Sequence, residues 1–183
     1  MPSLLQLKVE LAWIKPVIRR RIVVPASITL GNLHQVLQVV FGWGDCHLHE
    51  FDFGGERFGI PDPEYDCEPV RSERRIQLKT ALRGMNSFKY IYDFGDNWEH
   101  RIKVEKELPA DPRFSHSAVI LEVANAAPPE DVGGAHGYEE FVVAMTNPDH
   151  PEHQSMHEWY GDSFDPTFVD IGNIIVELHH LKI

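Results

Sequence analysis

Apolar and polar residues alternate along the first 25 residues, which predicts two strands. The first stretch, Leu5 to Trp13, places leucine, valine and tryptophan on one face and Gln6, Lys8 and Glu10 on the other. The second stretch, Ile18 to Val24, alternates in the same way between prolines 16 and 25. Because a period of two is typical of strands with one buried face, we expect these two strands to pair antiparallel.

The pattern then changes to helical spacing. Leu30, Leu33 and Leu37 recur at intervals of three and four residues, which predicts a helix over residues 30–41. Thr29 is suited to cap its first turn, and Gly42 to end it in a left-handed conformation. The chain therefore opens with two strands and a helix.

Alternation returns after the helix. It predicts strands over residues 47–53 and 56–59, joined by the turn Gly54-Gly55, and a second hairpin over residues 88–94 and 98–105. The stretch Asp93-Phe94-Gly95-Asp96-Asn97, where the two strands join, has the composition of a turn. Its first three residues match the metal-binding triplet of kinases, but no Gly-rich phosphate loop and no H-R-D catalytic loop accompany them. Residues 61–73 are expected to form a loop, and residues 78–82 a short helix.

The last third of the chain has a different character. Residues 109–135 contain four prolines and little periodicity, which predicts a long loop over the domain. Helices are expected over residues 137–145 and 152–159, and a final one starting at Asp165-Pro166. We therefore predict an α+β fold, in which C-terminal helices pack on a twisted antiparallel sheet of about six strands, as a single domain over residues 1–183.

Composition narrows the class of protein. A chain of 183 residues with 43% hydrophobic residues can bury a core without covalent crosslinks. Its two cysteines, Cys46 and Cys67, are too few and too far apart for a disulfide framework. The N-terminus lacks the apolar stretch of a signal peptide, and no segment approaches the roughly 20 apolar residues of a membrane span. These features predict a cytoplasmic protein without a membrane partner.

The net charge of −11 is unevenly distributed. Between Pro109 and Asp170 the only base is Arg113, against twelve acids. Such a surface repels phosphate backbones, so nucleic-acid binding is not expected, and an unidentified basic protein is the predicted partner. The one basic run, Arg19-Arg20-Arg21, is expected to lie on an exposed strand edge.

Five sequence segments carry a resemblance to a known family. They are residues 29–51 (with Gly42-Trp43 and His47-Leu48-His49-Glu50-Phe51), Tyr92 to His100, Pro128 to Gly134, Gly137-Tyr138 and Phe164-Asp165-Pro166. In this order and spacing the chain resembles the plasmid pRiA4b ORF-3-like family over nearly its whole length. The resemblance implies a small bacterial or archaeal protein, often carried by plasmids or insertion elements, where some members have a resolvase-like label.

Two features of the sequence limit what that resemblance implies. A serine recombinase needs a nucleophilic serine within an arginine cluster, and this acidic chain shows no such grouping. Many relatives carry cysteines around the Pro-Pro-Glu-Asp segment, where this chain has Ile120, Ala127 and Val132. A cysteine metal site is therefore excluded here.

The leading candidate site is a divalent metal site. It combines His47 and His49, which share one face of a predicted strand, with His100 from another strand, and Asp93 or Asp96 from the turn. The alternative is that these histidines are core residues with one hydrogen bond each.

Two other groups of residues have weaker signals. His153 and His157 have the i, i+4 spacing of zinc ligands, with His150 ahead of them, but Gln154 stands where a protease would have its glutamate. A solvated helix is the simpler interpretation. The Pro128 to Gly134 segment is interpreted as a structural loop, although its acids are suited to bind a cation or a basic partner.

Three hypotheses for function follow. The first is a non-enzymatic binding or adaptor protein of mobile-element origin, for which no catalytic or cofactor-binding residues are identified and the cofactor is unknown. The second is a metal-binding protein or metal-dependent enzyme that uses His47, His49 and His100. The third is an accessory factor in DNA transactions, which the charge disfavours.

Overall fold

A computed structural model describes residues 3–62, 70–111, 114 and 117–183 of the chain. Its strands are β1 Ser3–Leu11, β2 Arg19–Pro25, β3 His49–Phe53, β4 Glu56–Gly59, β5 Arg71–Ser72, β6 Ser87–Tyr92, β7 Trp98–Pro109 and β8 Val119–Ala124. Its helices are α1 Leu30–Phe41, α2 Leu78–Leu82, α3 Gly134–Thr146, α4 His153–Tyr160 and α5 Ile171–His180. The α+β class and the opening of two strands and a helix are confirmed.

The described strands form one mixed sheet in the order β5-β4-β3-β6-β7-β1-β2-β8. All neighbouring pairs are antiparallel except β4 and β5. The predicted count of about six strands is therefore low. The additional strands are β5, which is only two residues long, and β8, which lies in the stretch predicted to be a loop. Cys67 and most of the predicted loop over 61–73 lie outside the described residues.

Strand β1 lies in the interior of the sheet, between β2 and β7, and one of its faces is uniformly apolar. Leu7 pairs with Ile22 and Val104, and Val9 pairs with Arg20 and Ile102. Leu7 and Val9 are completely buried beneath α1 and the surrounding core. The alternation in the sequence thus marks the face on which the core is built.

Helix α1 has the predicted bounds and the predicted caps. The Thr29 hydroxyl accepts a hydrogen bond from the Asn32 amide, and Gly42 adopts a left-handed φ of 73°. Leu30, Leu33 and Leu37 are fully buried on its inner face. The capping residues and the apolar stripe indicate the same bounds, which explains why the sequence located this helix to the residue.

The basic run does not lie on an exposed edge, contrary to the prediction. Strand β2 is paired on both sides because β8 covers its outer edge. Arg19 and Arg21 form ion pairs with Glu122 of β8, and Arg21 also pairs with Glu105 of β7. Arg20 points to the other face and is only 1% exposed.

The C-terminal helices pack against one another and against the end of the sheet. Helix α3 contacts α4, and α5 contacts α1 and β8. The final helix starts at Ile171 and is capped by Asp170, which accepts from the Asn173 amide, so the predicted start at Asp165 is wrong. The Asp165 carboxylate instead accepts from Thr167 in a turn. No helix of the described ranges is long and apolar enough to cross a membrane.

Candidate functional site

Two loops approach each other closely at one end of the sheet. The first is the turn between β6 and β7, and the second is the Pro128–Gly134 segment before α3. Gly133 N–H donates to the Asp96 carboxylate at 3.1 Å, and a Cβ on Gly134 would lie 2.8 Å from the Asp96 carbonyl oxygen. Because only glycine permits this approach, Gly134 brings the acids of the second loop next to the first.

The contact assembles a cluster of four side chains that we name the histidine–carboxylate centre: His47, Asp93, Glu130 and Asp131. His47 Nε2 lies 3.2 Å from Asp131 Oδ1, 3.7 Å from Asp93 Oδ2 and 3.7 Å from Glu130 Oε2. One ligand atom each of His47, Asp93 and Asp131 lies within 4.8 Å of the other two. Three carboxylates therefore surround a single imidazole.

Two atoms of the centre are buried without a partner. His47 Nε2 and Glu130 Oε2 are enclosed and form no hydrogen bond with any described residue. In the described part of the chain no lysine or arginine nitrogen lies within 4 Å of the three carboxylates. Buried polar atoms are nearly always hydrogen-bonded, and each exception needs an explanation.

The rest of Glu130 is held firmly. Its Oε1 accepts hydrogen bonds from the Tyr92 hydroxyl and the Gly44 amide, both at 2.9 Å. Burial, reinforced by the Glu130 carboxylate, raises the pKa of Tyr92, so the phenol remains a protonated donor. One carboxylate oxygen is thereby fixed by the protein while the other faces His47.

The two aspartates differ in exposure and share an unusual backbone. Both adopt left-handed conformations, with φ of 55° at Asp93 and 57° at Asp131. Such conformations are uncommon outside glycine and often occur at functional sites. The Asp93 side chain is nearly enclosed, whereas that of Asp131 is 73% exposed. The centre is therefore closed by the protein on one side and open to solvent on the other.

A second polar cluster lies deeper, and we name it the stacked-histidine cluster: His34, Asp45, His49, Glu73 and Tyr90. The rings of His34 and His49 are parallel within 4°, with centroids 3.5 Å apart. His49 Nε2 lies 3.0 and 3.1 Å from the two Glu73 oxygens. His34 Nε2 lies 2.8 Å from Asp45 Oδ1, and His34 Nδ1 lies 2.7 Å from the Tyr90 hydroxyl.

This second cluster is nearly self-sufficient. Burial, together with the neighbouring His49, lowers the pKa of His34, so its neutral form donates from Nε2 to Asp45 and accepts at Nδ1 from Tyr90. The Tyr90 hydroxyl in turn accepts from the Gln38 amide. Ligand atoms of His34, Asp45 and His49 lie within 4.8 Å of one another, but the two rings are parallel and 3.5 Å apart, so one ion cannot lie in the plane of both. The cluster is better suited to hold α1 and β3 together than to bind a metal.

The structure separates the histidines that the sequence grouped together. His47 precedes β3, which starts at His49, so the two do not share a strand face. His100 is fully buried, packs edge-on against Phe41 and Trp43, and approaches the Tyr90 carbonyl through Nδ1. Of the five candidates, only His47 and Asp93 lie close together. The Asp96 carboxylate instead accepts a hydrogen bond from the Gly133 amide.

Sequence reasoning missed Glu130 and Asp131 as members of this site. Their signal was the Pro128–Gly134 segment, whose acids were considered as cation ligands but not connected to His47. The connection includes the hydrogen bond from the Gly44 amide to Glu130, between residues 86 positions apart. No local pattern encodes it.

The remaining candidates lie elsewhere. On α4, His153 and His157 have ring centroids 4.4 Å apart, but the His153 Nδ1 lies 2.7 Å from the Ala144 carbonyl oxygen. Within the described ranges no third ligand joins them in a compact group. Cys46 is a free, exposed thiol next to His47.

Comparison with known proteins identifies a family and related proteins. The family model described as plasmid pRiA4b ORF-3-like protein matches residues 3–173. An uncharacterised protein named y4hQ from Sinorhizobium fredii (strain NBRC 101917 / NGR234) is 45% identical over 163 residues, which cover 88% of this chain and 82% of the relative. The crystal structure of MM3350, a protein of unknown function from Methanosarcina mazei Go1, superimposes with a TM-score of 0.83 at 34% identity, over 93% of this chain and 96% of that one.

Proposed function

The chain belongs to the plasmid pRiA4b ORF-3-like family, and from the geometry of the histidine–carboxylate centre we propose that it binds a divalent cation there. His47, Asp93, Glu130 and Asp131 are the ligands. The observation that carries the proposal is the pair of enclosed, unpartnered atoms, His47 Nε2 and Glu130 Oε2, which face each other among three acids.

Electrostatics supports a cation at this position. Like charges held a few ångströms apart in a partly enclosed site repel one another, and each buried oxygen without a donor loses its hydration. A divalent ion would offset both costs. Ligands on one ion lie about 3–4 Å apart, because each stands about 2.0–2.6 Å from it. The observed separations of 3.2–3.7 Å from His47 Nε2 fall within this range.

The ligand types favour a metal ion of intermediate softness, which binds both nitrogen and oxygen ligands. An imidazole with carboxylates suits Zn²⁺, Mn²⁺ or Fe²⁺ better than Mg²⁺ or Ca²⁺, which prefer sites made entirely of oxygen. Because Asp131 is exposed, the ion would retain a face toward solvent. A solvent-facing position is typical of metal sites that exchange water or bind an external ligand.

Metal titration of the chelator-treated full chain tests the proposal. We expect about one Zn²⁺ or Mn²⁺ per chain, by calorimetry and by elemental analysis after dialysis, with Mg²⁺ binding at least about tenfold more weakly. His47→Ala should remove this binding. His136→Ala is the matched control, because His136 is exposed on α3 and outside the centre.

A second pair of variants separates the ligands from general negative charge. Asp93→Asn should weaken binding by at least about tenfold, whereas Asp149→Asn, an exposed acid elsewhere, should not change it. Equal affinity in the His47→Ala and His136→Ala proteins, or less than one ion per ten chains at a hundred micromolar metal, would refute the site.

A second candidate function is binding of a basic protein, which the acidic C-terminal half supports. Nine of its twelve acids are exposed: Asp131, Glu139, Glu140, Asp149, Glu152, Glu158, Asp162, Asp165 and Asp170. The same charge disfavours DNA. A lysine-rich peptide should bind with an affinity that falls steeply between low and physiological salt, because exposed charges are screened. Binding that is independent of salt would contradict this second candidate.

A further inference from the structure

A cavity of about 450 Å³ lies beside the C-terminal end of α1. Its walls include Phe41 and Gly42 of that end and residues 126–130 after β8. The residues before and within α5 that line it are Ser163, Phe164, Asp165, Phe168, Val169, Asp170, Asn173 and Ile174. This volume is in the usual range for small-molecule sites, about 300–1,000 Å³. The cavity shares Glu130 with the histidine–carboxylate centre but is otherwise separate from it.

The unusual group in the wall is Arg20, which is 1% exposed. Its Nε donates to the Val40 carbonyl at 2.7 Å, and its Nη1 faces the carbonyl oxygens of Arg19, Ala124 and Asn125 at 2.9–3.2 Å. Across the described ranges no carboxylate lies within 4 Å of the guanidinium, and Nη2 forms no hydrogen bond. Arg20 is therefore a buried cation without a countercharge.

The charge on Arg20 persists at neutral pH. Burial lowers its pKa to about 10, which still leaves the guanidinium protonated. Carbonyl dipoles, including that of Val40 at the negative end of α1, stabilise part of this charge. One pair of N–H donors on Nη2 remains for a ligand.

Each acid around the cavity has one oxygen that accepts hydrogen bonds from the protein. Asp165 accepts from Thr167, Asp170 caps α5, and Glu130 accepts from Tyr92 and Gly44. They disfavour a dianion such as phosphate without neutralising Arg20. The rest of the wall includes the apolar side chains of Phe164, Phe168 and Ile174.

We propose that this cavity binds a small monocarboxylic acid with an apolar body. The carboxylate accepts hydrogen bonds from Arg20 Nη2, and the apolar body lies against Phe164 and Phe168. A charge-assisted hydrogen bond from a desolvated arginine selects the anion, and the apolar wall selects its substituent. The proposal does not depend on a cation at the neighbouring centre.

Three probes of one shape test the charge preference: 3-phenylpropionate, its primary amide, and 3-phenylpropylamine. Binding is measured by calorimetry and by ligand-observed NMR. The protein is treated with chelator beforehand, so that the carboxylate cannot bind to a metal ion instead of to Arg20. We expect the acid to bind at about millimolar concentration or tighter, at least about tenfold better than the amide, and the amine not at all. An amine that binds as well as the acid, or no acid binding at 10 mM, would overturn the proposal.

Variants on the cavity rim test the location, because substitution of the buried Arg20 itself could unfold the protein. Phe168 is 65% exposed and lines the cavity, whereas Ile175 is 54% exposed and does not. Phe168→Ala should weaken binding of 3-phenylpropionate at least about fivefold, and Ile175→Ala by less than twofold. Amide shifts in the protein spectrum should centre on Gly42 and Ala127. Equal losses in the two variants, or shifts confined to other surfaces, would place the ligand elsewhere.

Discussion

The two histidine clusters include residues that are close in the chain, His47 and His49, but they differ in how their polar atoms are paired. In the stacked-histidine cluster, His34 and His49 are each paired with a carboxylate, and nearly every polar atom has a partner. In the histidine–carboxylate centre, His47 faces three acids and has no hydrogen-bond partner among the described residues. The first arrangement is complete within the protein except for His49 Nδ1, which has no carboxylate beside it in the described structure, whereas the second gathers three carboxylates around one imidazole and needs an added positive charge.

This difference indicates that the stacked-histidine cluster stabilises the fold, whereas the histidine–carboxylate centre is suited to bind a cation. A buried histidine with its own acid contributes to the fold, because removal of either partner leaves the other desolvated. A cluster of acids without donors costs stability in the free protein and regains it when a cation binds. The sign of the stability change on removal of one acid therefore distinguishes the two clusters.

The largest effect is expected in the stacked-histidine cluster. Glu73→Ala removes the acid that holds His49 and leaves a buried imidazole nitrogen without a partner. We expect a loss of roughly 3 kcal/mol in the free energy of unfolding, measured in urea at pH 7. Glu73→Gln keeps an acceptor and should cost less than half as much. Equal and small losses in both variants would show that the pair contributes little.

A pH dependence of about 2 kcal/mol is expected from the third buried histidine, His100. Burial lowers its pKa to about 4, below its usual value of 6.5. The unfolded chain therefore takes up a proton first, so stability is fully present above about pH 6.5 and falls as the pH falls toward 4. Between pH 7 and 5 the native protein should lose about 2 kcal/mol more than His100→Gln in urea unfolding. Parallel pH profiles would contradict this assignment.

The contact between the two loops assembles the histidine–carboxylate centre, and we expect one methyl group added at Gly134 to disrupt it. In Gly134→Ala the new Cβ would lie 2.8 Å from the Asp96 carbonyl oxygen, at a φ of 70°. We expect a loss of about 1.5 kcal/mol in stability and of about tenfold in cation affinity, as the loop with Glu130 moves away from His47. Gly42→Ala is the matched control, since its φ is 73° but nothing lies within 4 Å of its Cβ. It should lose stability and keep the affinity.

The parts of the fold that the sequence predicted are those specified by local patterns. Helix α1 was located by its cap and its apolar stripe, and the hairpin of β6 and β7 by its alternation. Strand β8 was missed because its residues do not alternate in burial: all are half-buried except Leu121, which is exposed. It is held by pairing with β2, including the ion pairs to Glu122, which are contacts between distant positions.

The candidate site was predictable only in part, for the same reason. His47 was identified because alternation placed it with His49 on one face of a predicted strand, and Asp93 because it belongs to the predicted turn. His49 and His100 were grouped with them because alternation predicts faces but not which faces meet. Glu130 and Asp131 reach His47 only through the glycine contact of two loops, so their role became visible in the folded chain.

The smallest stability change is expected for Asp131→Asn. It separates the two clusters most clearly, because its sign should be opposite to that expected for Glu73→Ala. Asp131→Asn removes one of three clustered negative charges from an exposed position. In metal-free protein we expect stability to be unchanged or to rise by up to about 0.5 kcal/mol, since like-charge repulsion falls. The rise in Tm that saturating Zn²⁺ or Mn²⁺ produces in the native protein should shrink at the same time. If Asp131→Asn instead destabilised the metal-free chain as Glu73→Ala is expected to, the two clusters would be alike, and both would serve only the fold.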